Sequence, residues 1–138
     1  MKSAVKLFLD DRRVPTEAIP LTSKDLTELY SKKDWHIVRT YKQFVDWIKA
    51  NGLPDLISFD YDLIEIDPKL KAKNYDMFLD IDHHVYSKKT GLECAKWLVD
   101  YCRKNNLKMP EYIVHSANPY GRFLIKKHLT YSKTKYKL

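Results

Sequence analysis

The chain has 138 residues, 44% of them hydrophobic, enough for one domain with a real core and too few for two. Its net charge is +7, and from Gly121 onward Arg122, Lys126, Lys127, Lys133, Lys135 and Lys137 stand with no acid among them, which favours an anionic partner such as nucleic acid. No apolar run approaches the ~18 residues of a membrane span and no hydrophobic signal segment is evident, so the sequence reads as soluble and cytoplasmic, with no membrane partner. A solvated basic tail that merely keeps the protein in solution accounts for the same cations.

In chain order, Ala4 to Leu9 is a strand candidate, followed by the charged loop Asp10-Asp11-Arg12-Arg13-Val14-Pro15, which Pro15 and Pro20 keep irregular. Thr22 or Ser23 caps a short helix with Leu26, Leu29 and Tyr30 on one face, and Trp35 to Thr40 forms a strand. The pattern then changes period. Thr40 and Gln43 have capping-box spacing, Phe44, Trp47 and Ile48 recur at helical intervals, and Gly52 with Pro54 stops the helix. Leu56 to Leu63, LISFDYDL, reads as a buried central strand ending in two carboxylates, Asp60 and Asp62. Thr90 and Glu93 repeat the capping spacing before a helix with Leu92, Ala95, Leu98 and Cys102 on its apolar stripe. Cys94 and Cys102 are eight residues apart on that helix, ~12 Å, and cannot pair with each other. Tyr112 to Asn118 is a fourth strand, and Asn118 with Pro119 opens a last helix expected to run through His128. Strands alternating with helices imply right-handed crossovers and an α/β three-layer sandwich with a parallel sheet, one domain over 1–138.

The connection from Ile64 to Lys89, about twenty-six residues, is several times the usual length and reads as an insertion able to act as a lid. It carries Asp80, Asp82, His83 and His84 among Tyr75, Phe78 and Tyr86, and His83 and His84 are candidate substrate-binding residues.

Ligands in open α/β sheets sit beyond the carboxyl ends of the strands, and three strand-like runs here end in reactive groups: KLFLDD, LISFDYDL and YIVHSAN. Carboxylates gathered within a few Å repel, so they share protons or hold a hard cation; Asp10, Asp11, Asp60 and Asp62 are the candidate ligands, and oxygen donors suit Mg²⁺ or Mn²⁺. Asp11 and Asp60 thereby also count as catalytic. Arg12 offers a planar fork for phosphate oxygens, His115 is the candidate proton carrier near neutral pH, and Ser116, Asn118 and the amides opening the last helix can hold further phosphate oxygens.

LFLDDRRVP, SFDYDL, TGLECAKWL and HSANPYGR, in this order, resemble the receiver-related family named for cyclic-phosphate processing. The resemblance implies a receiver-like (flavodoxin-like) fold, a metal held by acids at the strand ends, and action on cyclic or diester phosphates, either a cyclic nucleotide or a cyclic-phosphate RNA end. Asp10 and Asp11 match the paired acids ending the first receiver strand, Asp60 the acid ending the third, and Ser116 the hydroxyl ending the fourth. Asp62 and His115 belong to the variant family. A signalling receiver would show a Lys-Pro pair after a fifth strand where this chain reads SKTKYKL; Lys133 or Lys135 could substitute, but the spacing assigns neither. Two other readings stand beside a metal-dependent phosphoesterase: a non-catalytic module binding nucleotide, nucleic acid or protein, and a receiver accepting phosphate on Asp60.

Overall fold

Residues 3–63 and 89–138 are described by the computed structural model of the chain. The insertion, with His83 and His84, therefore lies almost entirely outside the described residues. Four short strands, β1 (Lys6–Leu9), β2 (Trp35–Val38), β3 (Leu56–Phe59) and β4 (Glu111–Val114), form one parallel sheet in the order β2-β1-β3-β4. Lys6 aligns with both Trp35 and Leu56, and Leu56 with Glu111, so the strands start level and also end level. This shared register brings the residues after Leu9, Phe59 and Val114 to a common edge.

Strand alternation divides two cores. Leu7 and Leu9 of β1 and Ile57 and Phe59 of β3 enter the larger one, which is covered by α2 (Tyr41–Asn51), α3 (Gly91–Asn105) and α4 (Pro119–Lys135). Phe44 of α2 meets Phe59 at 5.9 Å between ring centroids and Trp97 of α3 edge-on at 6.2 Å. The opposite face is thinner. Phe8 packs there with Ala18, Tyr30 and Trp35, under two 3-10 segments (Pro15–Leu21 and Lys24–Leu26) and the short helix α1 (Thr27–Ser31). The described residues thus fold as the receiver-like α/β sandwich that the motifs imply.

The helix starts follow their caps. Thr40 Oγ1 accepts from the Gln43 amide, but the Gln43 side chain reaches back to the Arg39 amide, one residue beyond the reciprocal bond of a capping box. Thr90 Oγ1 accepts from the Leu92 amide, and Asn118 Oδ1 from the Gly121 amide. Ser23 Oγ accepts from the Asp25 amide, so the expected short helix opens with a 3-10 turn. Cys94 and Cys102 are both buried, with no disulfide between them.

The last helix runs to Lys135, past the expected end at His128, because its buried stripe continues through Ile125, Leu129 and Ser132. The chain end is then tied back, with Leu138 N–H donating to the Lys133 carbonyl and Met109 N–H to that of Leu138. Among the described residues no fifth strand follows β4. No described helix is long and apolar enough to cross a membrane.

Candidate metal and phosphate site

Two glycines set the approach of the helices to the strand ends. A Cβ on Gly91 would lie 1.8 Å from the Asp60 carbonyl oxygen, and one on Gly121 would lie 2.2 Å from the Tyr61 ring. Gly91 N–H donates to the Tyr61 carbonyl at 2.8 Å. Only glycine lets the first turns of α3 and α4 close on the Asp60-Tyr61 corner, which places two helix N-termini at the edge where the strands end.

Asp10, Asp60 and His115 follow strand positions of the same parity, so all three turn to the thinner face just past the strands. Their ligand atoms lie within 4.8 Å of one another, and all three residues are buried. Asp10 is fully enclosed. Its Oδ1 accepts the Arg12 and Arg13 amides at 2.9 and 2.8 Å, and its Oδ2 faces His115 Nε2 at 3.0 Å and Arg13 Nη1 at 3.5 Å. Burial alone would raise its pKa, but the His115 bond and the two amides outweigh it and hold Asp10 well below the usual carboxylate range.

An ionised Asp10 only accepts, which fixes the rest of a buried chain of hydrogen bonds. Burial lowers the His115 pKa, so the ring is neutral and carries its hydrogen on Nε2, toward Asp10. Nδ1 then accepts from Ser58 Oγ at 2.7 Å, and Ser58 accepts from the Tyr30 hydroxyl at 2.7 Å. Burial pushes Tyr30 up to about 12, so its proton stays in place. Phe8 stacks on the imidazole at 4.4 Å and 6°. His115 is thus enclosed, with both nitrogens committed.

Asp60 has the opposite environment. Its Oδ1 accepts the Tyr61 amide at 2.9 Å, and among the described residues its second oxygen has no hydrogen-bond partner. Burial first, then the negative charges of Asp10 and Asp11, raise it to about 7, against weaker help from the Tyr61 amide and Arg13. A buried carboxylate with a spare oxygen beside two further acids matches the donor set of a hard divalent cation. Asp11 is half-buried, and its effect on Asp60 places its charge at the same edge.

The outer candidates lie around this centre. Arg12 is exposed, Ser116 is buried and its Oγ accepts the Asn118 amide at 3.1 Å, and exposed Asp62 accepts from Asn118 Nδ2 at 3.3 Å. Lys133 and Lys135 fall in the last turn of α4, about fourteen residues and ~21 Å from its first turn, so neither takes the place of a receiver's site lysine.

Sequence reasoning missed Arg13, Ser58, Tyr30 and Arg39. Arg39 Nη1 donates to the carbonyls of Asp10 and Arg13 and holds the first loop in shape. Ser58 was legible in principle, since a hydroxyl two residues before Asp60 in an apolar strand shares its face. Tyr30 and Arg39 come from other elements and carried no local signal.

With this geometry in view, one comparison decides the family: the family described as Cyclic-phosphate processing Receiver domain matches residues 5–131. The chain belongs to that family. No curated protein and no solved structure matches the chain. The match to this receiver domain spans all four strands, both acidic strand ends and His115.

Proposed function

We propose that this receiver-like domain is a metal-dependent phosphoesterase acting on a cyclic phosphate, either a cyclic nucleotide or a cyclic-phosphate RNA end. The observation that carries the reading is the buried group Asp10, Asp60 and His115, with ligand atoms within 4.8 Å, in a chain of the cyclic-phosphate processing family. Asp10, Asp11 and Asp60 would hold Mg²⁺ or Mn²⁺, with Asp62 at the rim. When bound, such an ion would supply charge neutralisation on the phosphate and a lowered pKa for an attacking water.

The chain's own residues do the rest. Exposed Arg12 clamps phosphate oxygens, and Asn118 positions Asp62 while capping α4, whose first turn presents its dipole to the anion. The enclosure of His115 supports a positioning role: it aims the Asp10 oxygens, as the outer partner of a metal ligand does, instead of reaching the substrate to carry its proton.

The test is turnover of 2′,3′-cyclic nucleotides, cyclic dinucleotides and cyclic-phosphate RNA ends with Mg²⁺, Mn²⁺ or chelator, products being resolved by mass spectrometry. Metal-dependent ring opening that Asp60→Asn abolishes is expected. Absence of turnover with either metal, or a stable acyl phosphate on Asp60 in its place, would refute the hydrolase reading.

A further inference from the structure

α4 carries a surface that the acidic edge does not use. Tyr120, Phe123 and Tyr131 are 67%, 57% and 58% exposed, unusual for large aromatic side chains on one helix. Lys127 lies over the Phe123 ring at 5.7 Å and Lys135 over Tyr131 at 5.4 Å. Between α3 and α4 is a mainly apolar groove of about 240 Å³ lined by Leu92, Lys96, Leu124, Lys127, His128 and Tyr131. His128 Nε2 is buried there with no hydrogen-bond partner among the described residues. Burial and Lys96, against a weaker pull from Asp100, keep that ring neutral at pH 7, with one donor and one acceptor.

Tyr131 and Lys127 in the groove, with Phe123 against Lys127 on the same helix, are the elements of single-strand recognition: bases stack and lysines meet phosphates. The positive charge lies on the α4 side, since α4 and the residues after it contain no acid, whereas on α3 Glu93 pairs with Lys96 and Asp100 lies near His128. The groove also has a direction. Leu92 and Tyr120 lie in the first turns of α3 and α4, beside the Asp60 corner, and His128 lies nine residues along α4, ~14 Å, or about four stacked nucleotides at ~3.4 Å each.

We infer that the α3–α4 groove and the exposed α4 face beside it bind single-stranded nucleic acid, with bases on Tyr131 and Phe123 and phosphates on Lys127 and Lys135, so that the strand end reaches the acidic edge. This rests on the proposed reaction only for the identity of that end, and it makes the substrate a strand in preference to a free cyclic nucleotide.

The experiment is fluorescence anisotropy with the whole chain, a labelled ~10-nucleotide unstructured RNA ending in an ordinary hydroxyl, and a duplex of the same sequence. Salt-sensitive binding of the single strand is expected, weakened about tenfold or more in Tyr131→Ala, while Lys127→Gln lowers the salt slope by about one. Both side chains are exposed, and circular dichroism melts confirm folding. Asp60→Asn protein should still bind the strand. Equal affinity of parent and Tyr131→Ala, a salt slope unchanged by Lys127→Gln, or duplex binding as tight as single-strand binding overturns the inference. Strand binding that needs Tyr131 in a protein with no cyclic-phosphate turnover upholds the groove while refuting the reaction.

Discussion

Asp60→Asn removes one negative charge from a buried group of acids while leaving an oxygen for the Tyr61 amide, and its effect on stability follows from the site's electrostatics. Asp60 goes from a usual 3.8 to about 7 in the folded protein. Between these values the folded state binds more protons than the unfolded one, so stability falls as pH rises through the window and the loss is complete above about pH 7. Asp10 is depressed, so its stabilising contribution is present above 3.8 and lost only below it. The lowered His115 and His128 add stability as pH rises toward 6.5, but they are common to parent and variant and cancel in the comparison. A gap of about three units at ~1.36 kcal/mol each gives a ceiling of ~4 kcal/mol, and the new amide hydrogens lose ~1 kcal/mol or more of it. Asp60→Asn should therefore stabilise the metal-free protein at pH 8 by roughly 1–3 kcal/mol, or roughly 4–10 °C in Tm for a domain of this size. At pH 5, where Asp60 already holds a proton, the gain should vanish. Thermal melts of parent and variant in chelator at pH 5 and 8 measure it directly. Mg²⁺ or Mn²⁺ at pH 8 should raise the Tm of the parent and not of the variant. A variant no more stable than the parent at pH 8, or a difference independent of pH, would refute the burial of an uncompensated Asp60 charge beside other acids, on which the cation site rests.

Other substitutions probe separate parts. Ser58→Ala leaves His115 Nδ1 without its donor and Tyr30 without its acceptor, and should cost about 1–3 kcal/mol in urea unfolding, whereas Tyr30→Phe, which leaves the Ser58–His115 bond, should cost about 0.5–1.5 kcal/mol. If His115 positions Asp10, His115→Ala should weaken Mn²⁺ binding measured by calorimetry along with turnover; unchanged metal affinity with a ~10²–10⁴-fold slower rate would restore it as proton carrier. Gly91→Ala drives a methyl into the Asp60 carbonyl and should cost about 1–3 kcal/mol or more, so a midpoint equal to that of the parent would show that α3 can shift away from the strand.

Much of the architecture was local in origin and so could be read along the chain. The apolar runs, Thr40, Thr90 and Asn118 as caps, and the change from alternating to helical spacing specify α/β elements in order, because caps and periodicity act within a few residues. Their bounds were less legible: β2 ends at Val38, since Arg39 and Thr40 leave the ladder to serve the α2 N-terminus, and α4 outruns His128, since its later turns find a core that spacing alone does not reveal. At the site, acids and a histidine at three strand ends marked the working edge.

What the sequence could not determine is which groups at that edge face solvent. Asp10, Asp60 and His115 share a side because parallel strands in level register send residues of equal parity to one face. Yet identical chemistry at Asp10 and Asp60 diverges in the folded chain: both are buried, but the imidazole and amides from the first loop draw Asp10 down, while burial and two acidic neighbours push Asp60 up against a single amide. Tyr30, twenty-eight residues before Ser58, closes the chain of hydrogen bonds that fixes the His115 ring. Residue types and strand order determine where the charged groups arrive; only tertiary packing decides their partners and water access, and these set which acid holds its charge and which is free to meet a cation.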